Sequence, residues 1–455
     1  MTIAPAIAEQ LARAVSAVRG GDLPAEVRET CRRLVLDVGG LCIAARNTDY
    51  MRALIAGLDA GAGCTAIGHV SAFSPADAML VNGTAAHGED YDDTFEGGPV
   101  HSGAVIVPAM LATAERHKLS GADLLAGIAV GSEVTCRLSL VAPKMVHAAG
   151  FHPTAVFGAI GAAAAVATGL RLGEAAFASA LGIAGSMASG IIEYLAEGTW
   201  TKRMHPGWAA QSGYRAARLA AGGFLGPRTV FEGTHGLFHG FARDPACDWS
   251  RLLGGFGEDW VMQTIAFKPY PCGTMAHPYI DCALRLRARG VAPERVASIL
   301  CETAEGFVHR LWGPIAAKQS PPNGYAAKFS IPYIIASALV YGGAGLSAFE
   351  DDAVTDEAVR SLAGKIGYVI DPDHPYPRSY TGHVRVTLDD GQILEERQPH
   401  LRGGVAEPLT AAEIEAKFRA NALHGSWDES RADQAARWVH TLFDAEEVDL
   451  SPWRG

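Results

Sequence analysis

The chain has 455 residues, enough for two large or three ordinary folding units. Its 38 Lys+Arg against 49 Asp+Glu give a net charge of −11, which excludes a nucleic-acid coat protein and a binder of anionic membranes. Hydrophobic residues make up 49% and charged ones 19%, and the 52 glycines follow no three-residue period, so collagen and linker repeats are excluded as well.

The N-terminal segment sets Ile7, Leu11, Val15 and Val18 on one helical face. It has no basic start followed by an apolar core, so no secretory signal is expected and a cytoplasmic location is. Helical length and spacing recur over residues 25–44, 121–141, 173–192 and 208–221, with Gly and Pro between them. Residues 145–170 hold no Asp, Glu, Lys or Arg. The His152–Pro153 break and the Gly/Ala-rich run after it predict a helix over 154–170 buried on all sides, not a membrane span. After Tyr270-Pro271 the character changes. Residues 297–303, 383–388 and 392–397 alternate like strands, the last two joined by the turn Asp389-Asp390-Gly391. Helices are expected over 330–341, 356–365, 410–420 and 431–444. The predicted fold is mainly α: a helical domain of residues 1–267 and 398–455, and a smaller α+β lid domain of residues 268–397.

Five segments carry candidate chemistry. His87-Gly-Glu-Asp90-Tyr-Asp92-Asp93-Thr94, with His101 beyond, crowds four carboxylates into five positions. On local sequence it reads first as a solvated acidic loop capping a helix and second as a metal site. Gly150-Phe-His152-Pro-Thr154 puts a histidine at a helix entrance. Gly198-Thr-Trp-Thr-Lys202-Arg-Met-His205-Pro-Gly207 brings basic groups between glycines, the pattern of an anion site at a helix start or of a solvated loop. Phe267-Lys268-Pro-Tyr-Pro-Cys272, with His277 further on, holds a lysine in a stiff apolar segment. Tyr325-Ala-Ala-Lys328-Phe-Ser330-Ile-Pro-Tyr333 opens an apolar helix with two polar tips. No dinucleotide, P-loop or hydrolase-elbow motif occurs. The eight cysteines never form C-x-x-C, which disfavours structural zinc and closely spaced Fe–S ligands.

In their order these motifs resemble the MmgE/PrpD family, together with Lys417-Phe-Arg-Ala-Asn421 near the C-terminus. The family includes 2-methylcitrate dehydratases, cis-aconitate decarboxylases and iminodisuccinate epimerases. The resemblance implies a homodimer of two-domain chains, no metal and no organic cofactor, and a small anionic carboxylate as substrate. By motif position it assigns His101, His152, Lys202, Lys268, Asp90 and Tyr333 as catalytic. His101 and His152 form the acid/base pair, Asp90 orients one of them, the two lysines hold carboxylates, and Tyr333 serves the leaving oxygen. Thr94, Asp93, His205, His277 and Cys272 are taken as substrate-binding. The decarboxylase branch carries a catalytic histidine five residues after the lysine matching Lys268, and here that position is Gly273. The reading is therefore a dehydratase or hydratase of a short di- or tricarboxylate. An epimerase, a decarboxylase and a non-catalytic carboxylate-binding protein are the alternatives.

Overall fold

The computed structural model describes residues 4–59, 61 and 63–455. The fold is mainly α, 58% helix and 8% strand, and its chain forms two compact units.

The first unit holds residues 1–88, 92–266 and 410–455. Its centre is a set of long helices, Ala25–Ala45, Pro75–Gly88, Gly103–His117, Gly121–Val141, Pro153–Gly169 and Thr201–Ala221. Small residues explain how closely they lie. In Pro153–Gly169 nearly every residue is buried, because glycine and alanine on all faces let neighbouring axes approach on all faces. A Cβ added at Gly83 would come 2.5 Å from the Gly207 Cα, so Pro75–Gly88 and Thr201–Ala221 touch backbone to backbone. The C-terminal helix Ala411–His424 lies against Ala25–Ala45, where the ring of Phe418 occupies the space a side chain on Gly40 would need. Gly121–Val141 is long and apolar enough to cross a membrane, but 94% of its most apolar stretch is buried inside the unit. It is the core helix of this domain.

Two expectations are corrected within this unit. The last long helix starts earlier than the expected 208. It begins at Thr201 and runs through Pro206 to Ala221, so Gly198–Gly207 holds a helix start, one of its two readings, and not a solvated loop, with Lys202 in the first turn and His205 in the second. Residues 222–266 are less helical than expected. Their helices Leu237–Ala242 and Ser250–Leu253 are short, since Gly and Pro recur too often for longer ones.

The second unit holds residues 89–91 and 267–409. Its four-stranded sheet runs Ile366–Ile370, Val296–Thr303, Gly382–Leu388, Ile393–Gln398 in spatial order. The first pair is parallel and the other two are antiparallel. The edge strand Ile366–Ile370 was not foreseen: its pattern, buried once and then increasingly exposed, lacks alternation. Helices His277–Ala288 and Ile331–Tyr341 supply the apolar core against the sheet. This unit extends to Leu409 where the sequence reading stopped at 397. One backbone and one side-chain hydrogen bond hold the extra segment: Phe267 N–H donates to the Gly403 carbonyl at 3.0 Å, and Gln398 Nε2 donates to the Glu407 carboxylate at 2.7 Å.

Candidate active site

In the first unit four histidines converge from three helices and one loop. His87 ends the helix Pro75–Gly88, His101 precedes Gly103–His117, His152 caps Pro153–Gly169, and His205 lies in Thr201–Ala221. Ring centroids are 4.9 Å apart for His87 and His101, 5.7 Å for His87 and His152, and 5.3 Å for His152 and His205. The Tyr194 ring stands edge-on to His152 and His205 at 6.2 and 5.8 Å.

The acidic turn underneath is not solvated, as the local sequence suggested. Asp92 and Asp93 are both fully buried. Asp93 serves the start of the helix Gly103–His117, accepting the Gly103 N–H at 3.0 Å and the Ser102 hydroxyl at 3.4 Å, so it supports the site from behind. Burial, and next the neighbouring Asp92, push its carboxyl up to about 8, so Asp93 carries its proton at neutral pH. Asp92 Oδ2 lies 2.7 Å from His87 Nδ1 and 3.6 Å from His101 Nδ1. Thr94 follows directly, in a two-residue ladder with Ala266.

These contacts fix two tautomers. The Asp93 carbonyl, 2.6 Å from His101 Nδ1, can only accept, so His101 carries hydrogen on Nδ1. His87 likewise turns its Nδ1–H to the Asp92 carboxylate, and its Nε2 is buried with no protein partner. Both rings thus direct Nδ1 at the acidic turn and leave Nε2 as the atom turned away from it. His152 differs. Burial first, then the nearness of further groups that bind protons (His87, His205, Lys202 and His101), drives its protonation well below the ordinary histidine range. His205 is pushed down to about 4 by burial, then by His87 and Lys202. Both are neutral at pH 7. The Lys202 ammonium acts electrostatically on both rings.

The remaining candidates lie in the second unit. Lys268 Nζ holds both the Asp90 carbonyl at 2.9 Å and its carboxylate at 3.2 Å, and Lys328 holds the Glu89 carbonyl and carboxylate at 2.7 and 2.6 Å. Asp90, with a left-handed φ of 54°, thus pairs with Lys268, and the carboxylate that meets a histidine ring is that of Asp92. Tyr333 is fully buried and its hydroxyl donates to the Ala348 carbonyl at 2.6 Å, which removes it as the donor to a leaving group. Cys272 is fully buried and its thiol is pushed far up by burial, so it is no thiolate. His277, also fully buried, shares a 3.2 Å hydrogen bond with the Cys272 carbonyl.

Among the described residues, His87, Asp92 and His101 are the group that could hold a metal ion, with donor atoms within 4.8 Å of one another. Two donors on one tetrahedral zinc, at about 2.0–2.1 Å each, would lie roughly 3.3 Å apart. The 2.7 Å between His87 and Asp92 is hydrogen-bond spacing instead. The triad reads as a carboxylate bracing two imidazoles.

Residues 9–250 match the MmgE/PrpD N-terminal domain and residues 270–442 the MmgE/PrpD C-terminal domain. The chain belongs to the MmgE/PrpD family. It is 31% identical to the cis-aconitate decarboxylase of Homo sapiens, over 98% of this chain and 93% of that protein. Against the cis-aconitate decarboxylase of Aspergillus terreus it is 30% identical, over 95% and 91%. A 2-methylcitrate dehydratase from Cupriavidus necator is 27% identical over 42% of this chain and 40% of that protein. These MmgE/PrpD relatives are enzymes. The sequence reading had named neither His87 nor Asp92 as site residues; their five-residue separation across a helix end was the available signal.

Proposed function

We propose that this MmgE/PrpD protein is a lyase that adds or removes water at a short di- or tricarboxylate through a carbanion next to a carboxylate. One observation supports it above the others: a buried cluster of neutral and carboxylate-braced imidazoles stands beside a lysine. Removing a proton α to a carboxylate puts charge onto that carboxylate, and the Lys202 ammonium suits its stabilisation. His152, held neutral, keeps a lone pair for the proton at carbon. His101, whose Nδ1–H is fixed by the Asp93 carbonyl, suits the acid role toward the departing oxygen as the imidazolium, the form the Asp92 carboxylate at 3.6 Å favours, which gives up its Nε2 proton.

The full-length likeness to cis-aconitate decarboxylases favours a second reading, loss of carbon dioxide to the same type of carbanion. Gly273, where that branch has histidine, speaks against it. Incubating the protein with 2-methylcitrate, citrate, cis-aconitate and iminodisuccinate in D₂O separates the readings by NMR. Water loss with solvent exchange at carbon is the expected result. Carbon dioxide release selects the second reading, exchange with inversion an epimerase, and silence with all four acids rejects catalysis on this substrate class.

Dialysis against a strong chelator is expected to leave turnover unchanged. Loss of turnover that a divalent ion restores would overturn the hydrogen-bonded reading of His87, Asp92 and His101.

A further inference from the structure

His152 and His205 meet Nδ1 to Nδ1 at 3.1 Å, with 5% and 6% of each residue exposed. A hydrogen bond between two ring nitrogens needs one N–H and one lone pair. Two neutral imidazoles joined this way must therefore be opposite tautomers. When His205 Nδ1 carries the shared hydrogen, His152 has its own proton on Nε2 and is an acid there. When His152 Nδ1 carries it, His152 Nε2 is a lone pair and a base, and His205 is protonated on Nε2. We propose that His205 is a positioning residue that sets the tautomer of His152, so that one hydrogen between two Nδ1 atoms decides whether His152 presents acid or base. This rests on the proton-transfer role given to His152, but the tautomer exists without substrate.

The surroundings keep the pair neutral. His87 and His101 face His152, Tyr194 lies edge-on to both rings, and Lys202 bears its charge beside both. In the base state a C–H bond breaks with its electron pair left on carbon, and the proton forms an N–H bond at His152 Nε2. The pair then holds three protons in place of two. The middle one lies between the rings, so the new charge is spread over two imidazoles. A lone buried histidine would have to carry it alone.

The test is long-range ¹⁵N–¹H correlation of the histidine-labelled full-length protein near pH 7.5, which distinguishes Nδ1–H, Nε2–H and imidazolium rings. The signals are assigned by their loss in His205→Asn and His152→Gln. One ring should read as Nδ1–H and the other as Nε2–H. His205→Phe should convert His152 to a mixture of tautomers and lower kcat at least about tenfold with KM within about twofold. His205→Asn, whose amide N–H can still donate to Nδ1, should recover part of kcat. Identical tautomers on the two wild-type rings overturn the proposal, and that measurement needs no variant to fold. A His152 signal unchanged in His205→Phe overturns it equally. A changed tautomer with unchanged kcat would leave the His152–His205 coupling standing and remove His152 from the chemistry.

Discussion

Lys202→Ala is expected to lower turnover at least a hundredfold, about 3 kcal/mol of lost transition-state stabilisation, with the fold intact. The side chain sits in the first turn of Thr201–Ala221 and is partly exposed, and alanine suits a helix. In the proposed mechanism its ammonium is the charge offered to the substrate carboxylate, so kcat should fall with kcat/KM. His152→Ala is expected to match or exceed that loss, because acid–base transfer is worth roughly 10²–10⁴ in rate. Turnover within about threefold of wild type in either variant removes that residue from the mechanism. Lys202→Ala has a second readout. It withdraws the charge that depresses His205 and His152, so both imidazoles should protonate at higher pH than in the wild type, which histidine NMR titration would show.

The second large effect is on stability. Lys417 in Ala411–His424 lies 2.6 Å from Asp37 in Ala25–Ala45, with side chains only 5% and 1% exposed. Removing the cation alone leaves a buried carboxylate without its counter-charge, which costs about 3–5 kcal/mol. Lys417→Met is thus expected to shift the denaturant midpoint strongly downward. Asp37→Asn/Lys417→Met together should lose much less, since no charge is then stranded. A single variant within about 1 kcal/mol of wild type would show that water reaches the pair. The pair also bears on the site. Asp37 raises and Lys417 lowers the protonation of Asp93, the residue that supports the start of Gly103–His117. The motif around Lys417 was visible in the sequence without a role, and this contact supplies one.

Helix periodicity carried most of the fold: 121–141 was read to the residue, and 25–44 and 154–170 each within one residue at either end. The register of small residues told that axes are close, and Gly83 against Gly207 is such a place. Three things escaped for physical reasons. Pro206 and Gly207 put the expected helix start at 208, yet the helix begins at Thr201 and runs through the proline, with His205 and Gly207 buried. Two carboxylates in one turn cannot be ranked by spacing. That Asp92 faces His87 while Asp90 turns to Lys268 depends on the left-handed backbone at Asp90, which a string of letters does not show. Tyr333 looked like a pocket tip because a hydroxyl at a helix start is so often exposed. The carbonyl that takes it, at Ala348, lies fifteen residues further along the chain.

The contact of Gly83 with Gly207 has a mechanical side. Pro75–Gly88 delivers His87, and Thr201–Ala221 delivers Lys202 and His205. Between the two helices at that point stands main chain only, with no rotamer to change and no methyl group to compress. The gap between imidazole and ammonium is therefore gauged by the thickness of two peptide backbones, the stiffest spacer a protein has. Redesign of substrate preference would best leave these two helices alone.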